Sequence, residues 1–204
     1  MINHSKFLEI LPSLQEACIE AGELQKKYHK TDIDIATKSN KTPVTKIDID
    51  SNIIISDSLK KITPEIPIVS EEDYAGQDKH DFFWIVDPLD GTSNYIDKGN
   101  NFCICISLIK ESYPILGIIY SPIQDYFYYA YQGYGAFLVK GSQKPMRITT
   151  SKMSSEKNNV YTSISISKKI LDQISIHVEN ALFVKLTSAL KFGAIASGEG
   201  CFYP

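Results

Sequence analysis

The stretch Trp84-Ile-Val-Asp-Pro-Leu-Asp-Gly-Thr-Ser-Asn-Tyr-Ile96 decides how the chain is read. An apolar run, Trp84 to Val86, ends on Asp87, and Asp90 follows after a Pro-Leu step. Two like charges closing a buried strand are costly unless a cation lies between them. Pro88 fixes the turn, so that Asp87, the Leu89 carbonyl and Asp90 can face one point. Gly91 and Thr92 then open a short helix, where first-turn N–H groups lack partners and a glycine lets an anion approach. A lone Asp-x-x-Asp also reads as a plain capping turn, with Asp90 or Thr92 as the cap.

Outward from this stretch, Ile66–Ser70 forms a second apolar run, followed by Glu71 and Glu72. If the two runs are neighbouring strands, their carboxyl ends gather four acids at one sheet edge. Asp48 adds a fifth candidate, which weighs against the capping-turn reading. Carboxylates and backbone carbonyls are the donors of hard divalent cations such as Mg²⁺, and such a cation would offset the repulsion.

The flanking sequence supplies the frame. Phe7, Leu11, Leu14, Cys18, Ala21, Leu24 and Tyr28 recur at helical spacing despite Pro12, which predicts an amphipathic helix over the first thirty residues. A strand is expected at Asp32–Thr37. A second helix is expected from about Thr45 to Lys61, burying Ile49, Ile53, Ile54 and Leu59. From Ile66 to Val139 short β-rich runs succeed one another between turn signals, so a largely antiparallel sheet covered on one face by the two helices follows. After a polar stretch, Val160–Ser167 and Ala181–Leu186 read as strands and Ser188–Gly198 as a helix. The expected architecture is a layered α+β or α/β sandwich. Residues 1–150 would form the N-terminal domain with the metal and phosphate site, and 151–204 an incomplete C-terminal α/β domain.

The remaining bounds are broad. A net charge of −3 and an apolar share of 43% in 204 residues give no basic footprint for a nucleic-acid polymer. The start alternates apolar and charged residues at helical spacing and lacks the continuous apolar region of a signal peptide, and no apolar run suits membrane insertion, so the chain is expected in the cytoplasm. Cys103 and Cys105 alternate along a strand and point to one face. They and the scattered Cys18 and Cys201 are expected to be buried free thiols, with a Cys-x-Cys metal site as the lesser reading. The tyrosines of Tyr126–Tyr134 read as cross-strand packing rather than a base platform. His4, His29, His80 and His177 have no nucleophile or zinc spacing.

Asp87-Pro-Leu-Asp-Gly-Thr-Ser-Asn-Tyr95 resembles the Asp-Pro-x-Asp-Gly-Thr-x-x-Phe/Tyr signature of the magnesium-dependent, lithium-sensitive phosphatases of the inositol monophosphatase superfamily. Thr42–Asp48, Ile68–Asp73 and Thr187–Pro204 are similar to further segments of that family. The Pro-Val-Thr, Ser-Glu-Glu-Asp and Leu-Lys details look most like its 3'(2'),5'-bisphosphate nucleotidase (CysQ-type) branch. Gly91–Tyr95 is closer to the inositol phosphatases.

The resemblance implies that Glu71, Asp87, the Leu89 carbonyl and Asp90 ligate Mg²⁺. It implies that Asp48, Thr92 and Glu71 form the catalytic set, that Asp90, Gly91 and Thr92 bind phosphate, and that Ser188 and Lys191 lie near the substrate. It also implies a Mg²⁺-dependent phosphomonoesterase converting adenosine 3',5'-bisphosphate, or its sulfated form, to AMP and phosphate. The partner is then a small phosphorylated substrate, with room for a homodimer. An inositol monophosphatase-like enzyme, or a truncated, inactive relic that binds metal or phosphate, are the alternatives. The nucleotidase branch has Asp, Gly and Ser where Asn40, Thr187 and Ala189 stand. The family pattern runs on beyond Pro204 into a Trp-Asp-x-Ala-x-Gly segment, whose Asp completes a second metal site. The chain is therefore expected to be truncated and its turnover weak.

Overall fold

The structure, a computed structural model, describes residues 2–32, 35–37, 43–73 and 80–204. Helix α1 (His4–Tyr28) starts where the Asn3 side chain accepts the Lys6 N–H at 2.9 Å. Its buried stripe is Phe7, Ile10, Leu14, Ala17, Cys18 and Ala21, ending on Gln25. Pro12 removes one i→i−4 bond at a cost of about 3 kcal/mol. The helix runs on through it, because each fully buried aliphatic or aromatic side chain along the stripe returns about 1.5–3 kcal/mol.

Strands β1 (Ile35–Thr37) and β2 (Pro43–Thr45) pair antiparallel and lead into α2 (Lys46–Ile62). Of the strand expected over Asp32–Thr37, Ile33 and Asp34 lie outside the described residues, as does Asn40. The inner face of α2 differs from the expectation. Leu59 is buried, but Ile49 and Ile53 are 48% and 52% exposed. The inner positions are Ile47, Asp48, Ser51, Asn52, Ile55 and Ser56. Small polar residues take this face because they have partners there: Gln25 Nε2 donates to Ser51 Oγ at 3.2 Å, and Asn52 Nδ2 donates to Asp73 Oδ2 at 2.6 Å.

Then come β3 (Ile68–Ser70), β4 (Phe82–Asp90), the short helix α3 (Thr92–Ile96), β5 (Cys103–Lys110), β6 (Tyr113–Ser121), β7 (Tyr126–Tyr131), β8 (Gly135–Lys140) and β9 (Met146–Ile148). They form a seven-stranded sheet in the order β3-β4-β5-β6-β7-β8-β9. Only the β3–β4 pair is parallel; the others are antiparallel, so the largely antiparallel sheet stands.

One face packs on α1 and α2 through Trp84, Val86, Ile104, Ile106, Leu108 and their neighbours, which form the main core. Trp84, wholly buried, donates from Nε1 to Thr63 Oγ1 at 3.0 Å. The tyrosines of β7 pack across strands, with Tyr129 and Phe137 stacked at 5.2 Å between centroids.

Beyond the sheet, β10 (Asn158–Thr162), α4 (Lys168–His177), β11 (Ala181–Lys185) and α5 (Leu190–Ala196) follow, with β10 and β11 parallel. The strand expected over Val160–Ser167 stops at Thr162, and α4, capped by Ser167, was not anticipated. Helix α5 lies over the sheet face opposite α1: a Cβ on Gly193 would stand 2.9 Å from the Tyr128 ring. Among the described residues no helix is long and apolar enough to cross a membrane. The result is a layered α/β sandwich, as expected.

Candidate active site

The parallel register sets Ser70 beside Val86, so Glu71 and Asp87 leave the sheet together. The Glu71 N–H donates to the Val86 carbonyl at 3.0 Å, continuing the pairing one residue beyond β3. Strand β4 does not stop at Asp87. It runs to Asp90 through a shift in pairing with β5, from Asp87 opposite Cys105 to Asp90 opposite Cys103. That irregularity lets two acids three residues apart reach one cavity of about 270 Å³, lined by Glu71, Asp87, Leu89, Asp90, Gly91 and Thr92 among others.

The charge density shows in Asp87. Its carboxyl is pushed up to about 8, first by burial, then by the charges of Glu71 and Asp90 and a hydrogen bond with Glu71. The Leu89 N–H, donating to Asp87 Oδ1 at 3.2 Å, pulls the other way. Three carboxylates gathered at one cavity, next to a backbone carbonyl, are an all-oxygen donor set suited to a hard divalent cation.

Asp48 enters from α2 through a capping box. Its Oδ2 accepts from the Thr45 N–H at 2.8 Å and from Thr45 Oγ1 at 2.6 Å. Its Oδ1 is thereby aimed at Thr92 Oγ1, 3.0 Å away, which also lies 3.1 Å from the Leu89 carbonyl. One hydroxyl proton serves either acceptor. Gly91 precedes α3 with φ 99°, and a Cβ there would meet the Asn101 carbonyl at 3.0 Å. Only glycine fits this position without strain.

Ser188 joins the cluster from the other side: its Oγ lies 3.5 Å from Cys103 Sγ. The next N–H, of Ala189, donates to Asp90 Oδ2. Lys191 reaches the cluster only through Ser188, whose carbonyl accepts from Nζ at 2.6 Å, and its ammonium lies over the Tyr203 ring. Thr187 lines the cavity and donates from Oγ1 to the Asn101 carbonyl at 2.6 Å.

Two features were missed in the sequence. Gln25, fully buried on α1, donates from Nε2 to the Pro88 carbonyl at 2.7 Å, and its backbone carbonyl accepts the Tyr95 hydroxyl at 2.8 Å, so this position ties the helix to both ends of the Asp87–Tyr95 segment. A glutamine on an otherwise apolar stripe was the available signal. The second is the position of the Cys-x-Cys pair. Cys103 is buried as expected, whereas Cys105 and Cys201 are partly exposed. The Cys105 thiol is held well above its ordinary value by the Cys103 hydrogen bond, then burial and the nearby acids. Beside it, an apolar cavity of about 560 Å³ lies against the sheet and is lined by Asp87, Cys105, Ile119, Tyr128 and Phe192 among others.

The fold defines the class first. The chain superposes on an inositol monophosphatase from Thermotoga maritima with a TM-score of 0.79 at 25% identity, over 96% of this chain and 75% of that one. It superposes on a CysQ from Bacteroides thetaiotaomicron with a TM-score of 0.74 at 24% identity, over 94% and 78%. In sequence it is 31% identical over 175 residues to a 3'(2'),5'-bisphosphate nucleotidase CysQ of Escherichia coli, covering 84% of this chain and 70% of the relative. A CysQ of the same description from Buchnera aphidicola is 32% identical over 202 residues, 96% of this chain and 75% of the relative. The profile of the inositol monophosphatase family matches residues 7–204, and the chain belongs to that family.

Proposed function

We propose that the chain is a Mg²⁺-dependent phosphomonoesterase of the bisphosphate nucleotidase type, acting in the cytoplasm on adenosine 3',5'-bisphosphate or its sulfated form. The observation that carries this reading is the convergence of Glu71, Asp87 and Asp90, with Asp87 pushed up to about 8 by burial and its acidic neighbours. The CysQ descriptions of the relatives support the substrate class.

Glu71, Asp87, the Leu89 carbonyl and Asp90 would hold the cation. Bound there, Mg²⁺ supplies positive charge to the phosphoryl oxygens as negative charge develops on them. Thr92 and Asp48 handle the proton. With its own hydrogen directed to Asp48 Oδ1 at 3.0 Å, Thr92 Oγ1 presents lone pairs to an incoming water. As the water attacks phosphorus, its proton passes to Thr92 and the Thr92 proton passes to Asp48. Asp48 Oδ2 stays fixed by its two Thr45 bonds, so the dyad keeps its geometry when Oδ1 takes the proton. The first-turn N–H groups at Gly91 and Thr92 supply donors for the phosphate within the cavity they line. Ser188 borders the substrate side, and Lys191 supports it through the Ser188 carbonyl.

A second reading, hydrolysis of an inositol monophosphate, draws on the Gly-Thr-Ser-Asn-Tyr run. Phosphate release from adenosine 3',5'-bisphosphate and from inositol 1-phosphate, measured side by side at saturating Mg²⁺, separates the two. Preference for the nucleotide with AMP as co-product supports the first reading, and equal or better release from the inositol overturns it.

A further inference from the structure

We propose that Asp90, Cys103 and Cys105 form a second, thiophilic metal site that takes Zn²⁺, sharing Asp90 with the oxygen cluster so that the two sites cannot fill independently.

Both thiols lie on the sheet face that carries the acids. The β4–β5 register sets Asp90 opposite Cys103 and Asp87 opposite Cys105. The donor atoms of Asp90, Cys103 and Cys105 all lie within 4.8 Å of one another. The Cys103 and Cys105 sulfurs are 3.8 Å apart, and Cys103 Sγ is 3.6 Å from Asp90 Oδ2.

These spacings match a tetrahedral site. Two sulfurs each about 2.3 Å from zinc at the tetrahedral angle stand about 3.8 Å apart, and a sulfur and a carboxylate oxygen at about 2.1 Å stand about 3.6 Å apart. Two of the three donor pairs are therefore already spaced for the ion, and the third, Cys105 with Asp90, lies within 4.8 Å and has only to draw in. Ser188 Oγ, 3.5 Å from Cys103 Sγ, flanks the remaining corner.

Asp90 is held for the role, because the Ala189 N–H fixes the same Oδ2 that faces Cys103. Cys105 is partly exposed, so the thiol pair is not sealed in the sheet. On binding, two thiol protons leave to solvent and two thiolates replace the sulfur–sulfur and sulfur–carboxylate contacts.

Thiolates select zinc and softer ions over Mg²⁺. The competition claim rests on the reading of Asp90 as a Mg²⁺ ligand; the binding claim does not. Zinc held by the thiols withdraws a carboxylate from the oxygen cluster and places a divalent charge beside it.

The test uses the 204-residue chain. Co²⁺ serves as the spectroscopic probe, because thiolate ligation gives an intense near-ultraviolet charge-transfer band, and Zn²⁺ displaces it. One equivalent should bind with that band. Cys103→Ser and Cys105→Ser should each abolish it, Asp90→Asn should weaken binding at least tenfold, and Cys18→Ser and Cys201→Ser should leave it unchanged. A Cys103→Val/Cys105→Val pair, which keeps the strand apolar, guards against loss through unfolding, with circular dichroism as the check. Absence of the band in the wild type, or its survival in that double variant, overturns the site. Calorimetric Mg²⁺ titration then addresses competition. Affinity should fall at least tenfold in zinc-loaded protein, and unchanged affinity overturns the coupling. No Mg²⁺ binding by zinc-free protein overturns the oxygen-site reading instead.

Discussion

Replacing Asp87 with asparagine should stabilise the metal-free chain at alkaline pH, an advantage that Mg²⁺ binding by the wild type should largely cancel. The carboxyl is raised from 3.8 to about 8 by burial, Glu71 and Asp90. Each tenfold change in proton affinity is worth about 1.4 kcal/mol. Because the folded value lies above the unfolded one, the stabilising effect of the protonated form is complete below about pH 4. It is lost progressively as pH rises to about 8, and the loss levels off beyond that.

The full linkage is about 5–6 kcal/mol. Water reaching the ionised Asp87 carboxylate brings the expectation down to about 2–3 kcal/mol. Asparagine keeps the shape and never ionises. In chelator, urea unfolding should therefore give equal stabilities for the two proteins at pH 4, and an advantage of about 2–3 kcal/mol for Asp87→Asn at pH 8.5. At a Mg²⁺ concentration a hundredfold above the dissociation constant the wild type gains about 2.7 kcal/mol, which the variant forgoes. A variant no more stable than wild type in chelator at pH 8.5, or an advantage that does not vary with pH, refutes the reasoning.

Asp48→Asn should lower kcat for phosphate release about a hundredfold or more with little change in KM, since Oδ1 loses its capacity to take the Thr92 proton while the side chain can still pack in the cap; steady-state kinetics read both constants. Gly91→Ala should cost about 1–2 kcal/mol in denaturant unfolding, because φ is 99° and the added Cβ would press on the Asn101 carbonyl. Gln25→Leu removes the donor to the Pro88 carbonyl and should weaken Mg²⁺ binding several-fold by calorimetry, with the helix itself intact by circular dichroism.

The sheet and its acidic edge were legible because two apolar runs each end on acids, and parallel neighbours must bring those ends together. The stripe on α1 was legible for the same kind of reason, a plain helical period. The face of α2 was not, since the largest aliphatics, Ile49 and Ile53, point away and the inner positions at Ser51 and Asn52 are set by bonds to other elements. Helix α4 was hidden because its approach, Thr162–Ser167, alternates Ser and Ile like a strand, and of the helix itself only Ile174 is buried. The closeness of Cys103 and Cys105 to Asp90 depends on the pairing shift between Asp87 and Asp90. No periodicity in one strand reveals how its neighbour is displaced against it.

The most direct test of the central claim is the initial rate of phosphate release from adenosine 3',5'-bisphosphate by the purified chain, with Mg²⁺ and with chelator, in wild type and Asp90→Asn. Release that requires Mg²⁺ and is lost in the variant is the predicted result. Release that persists in chelator, or that Asp90→Asn leaves unchanged, would contradict the account.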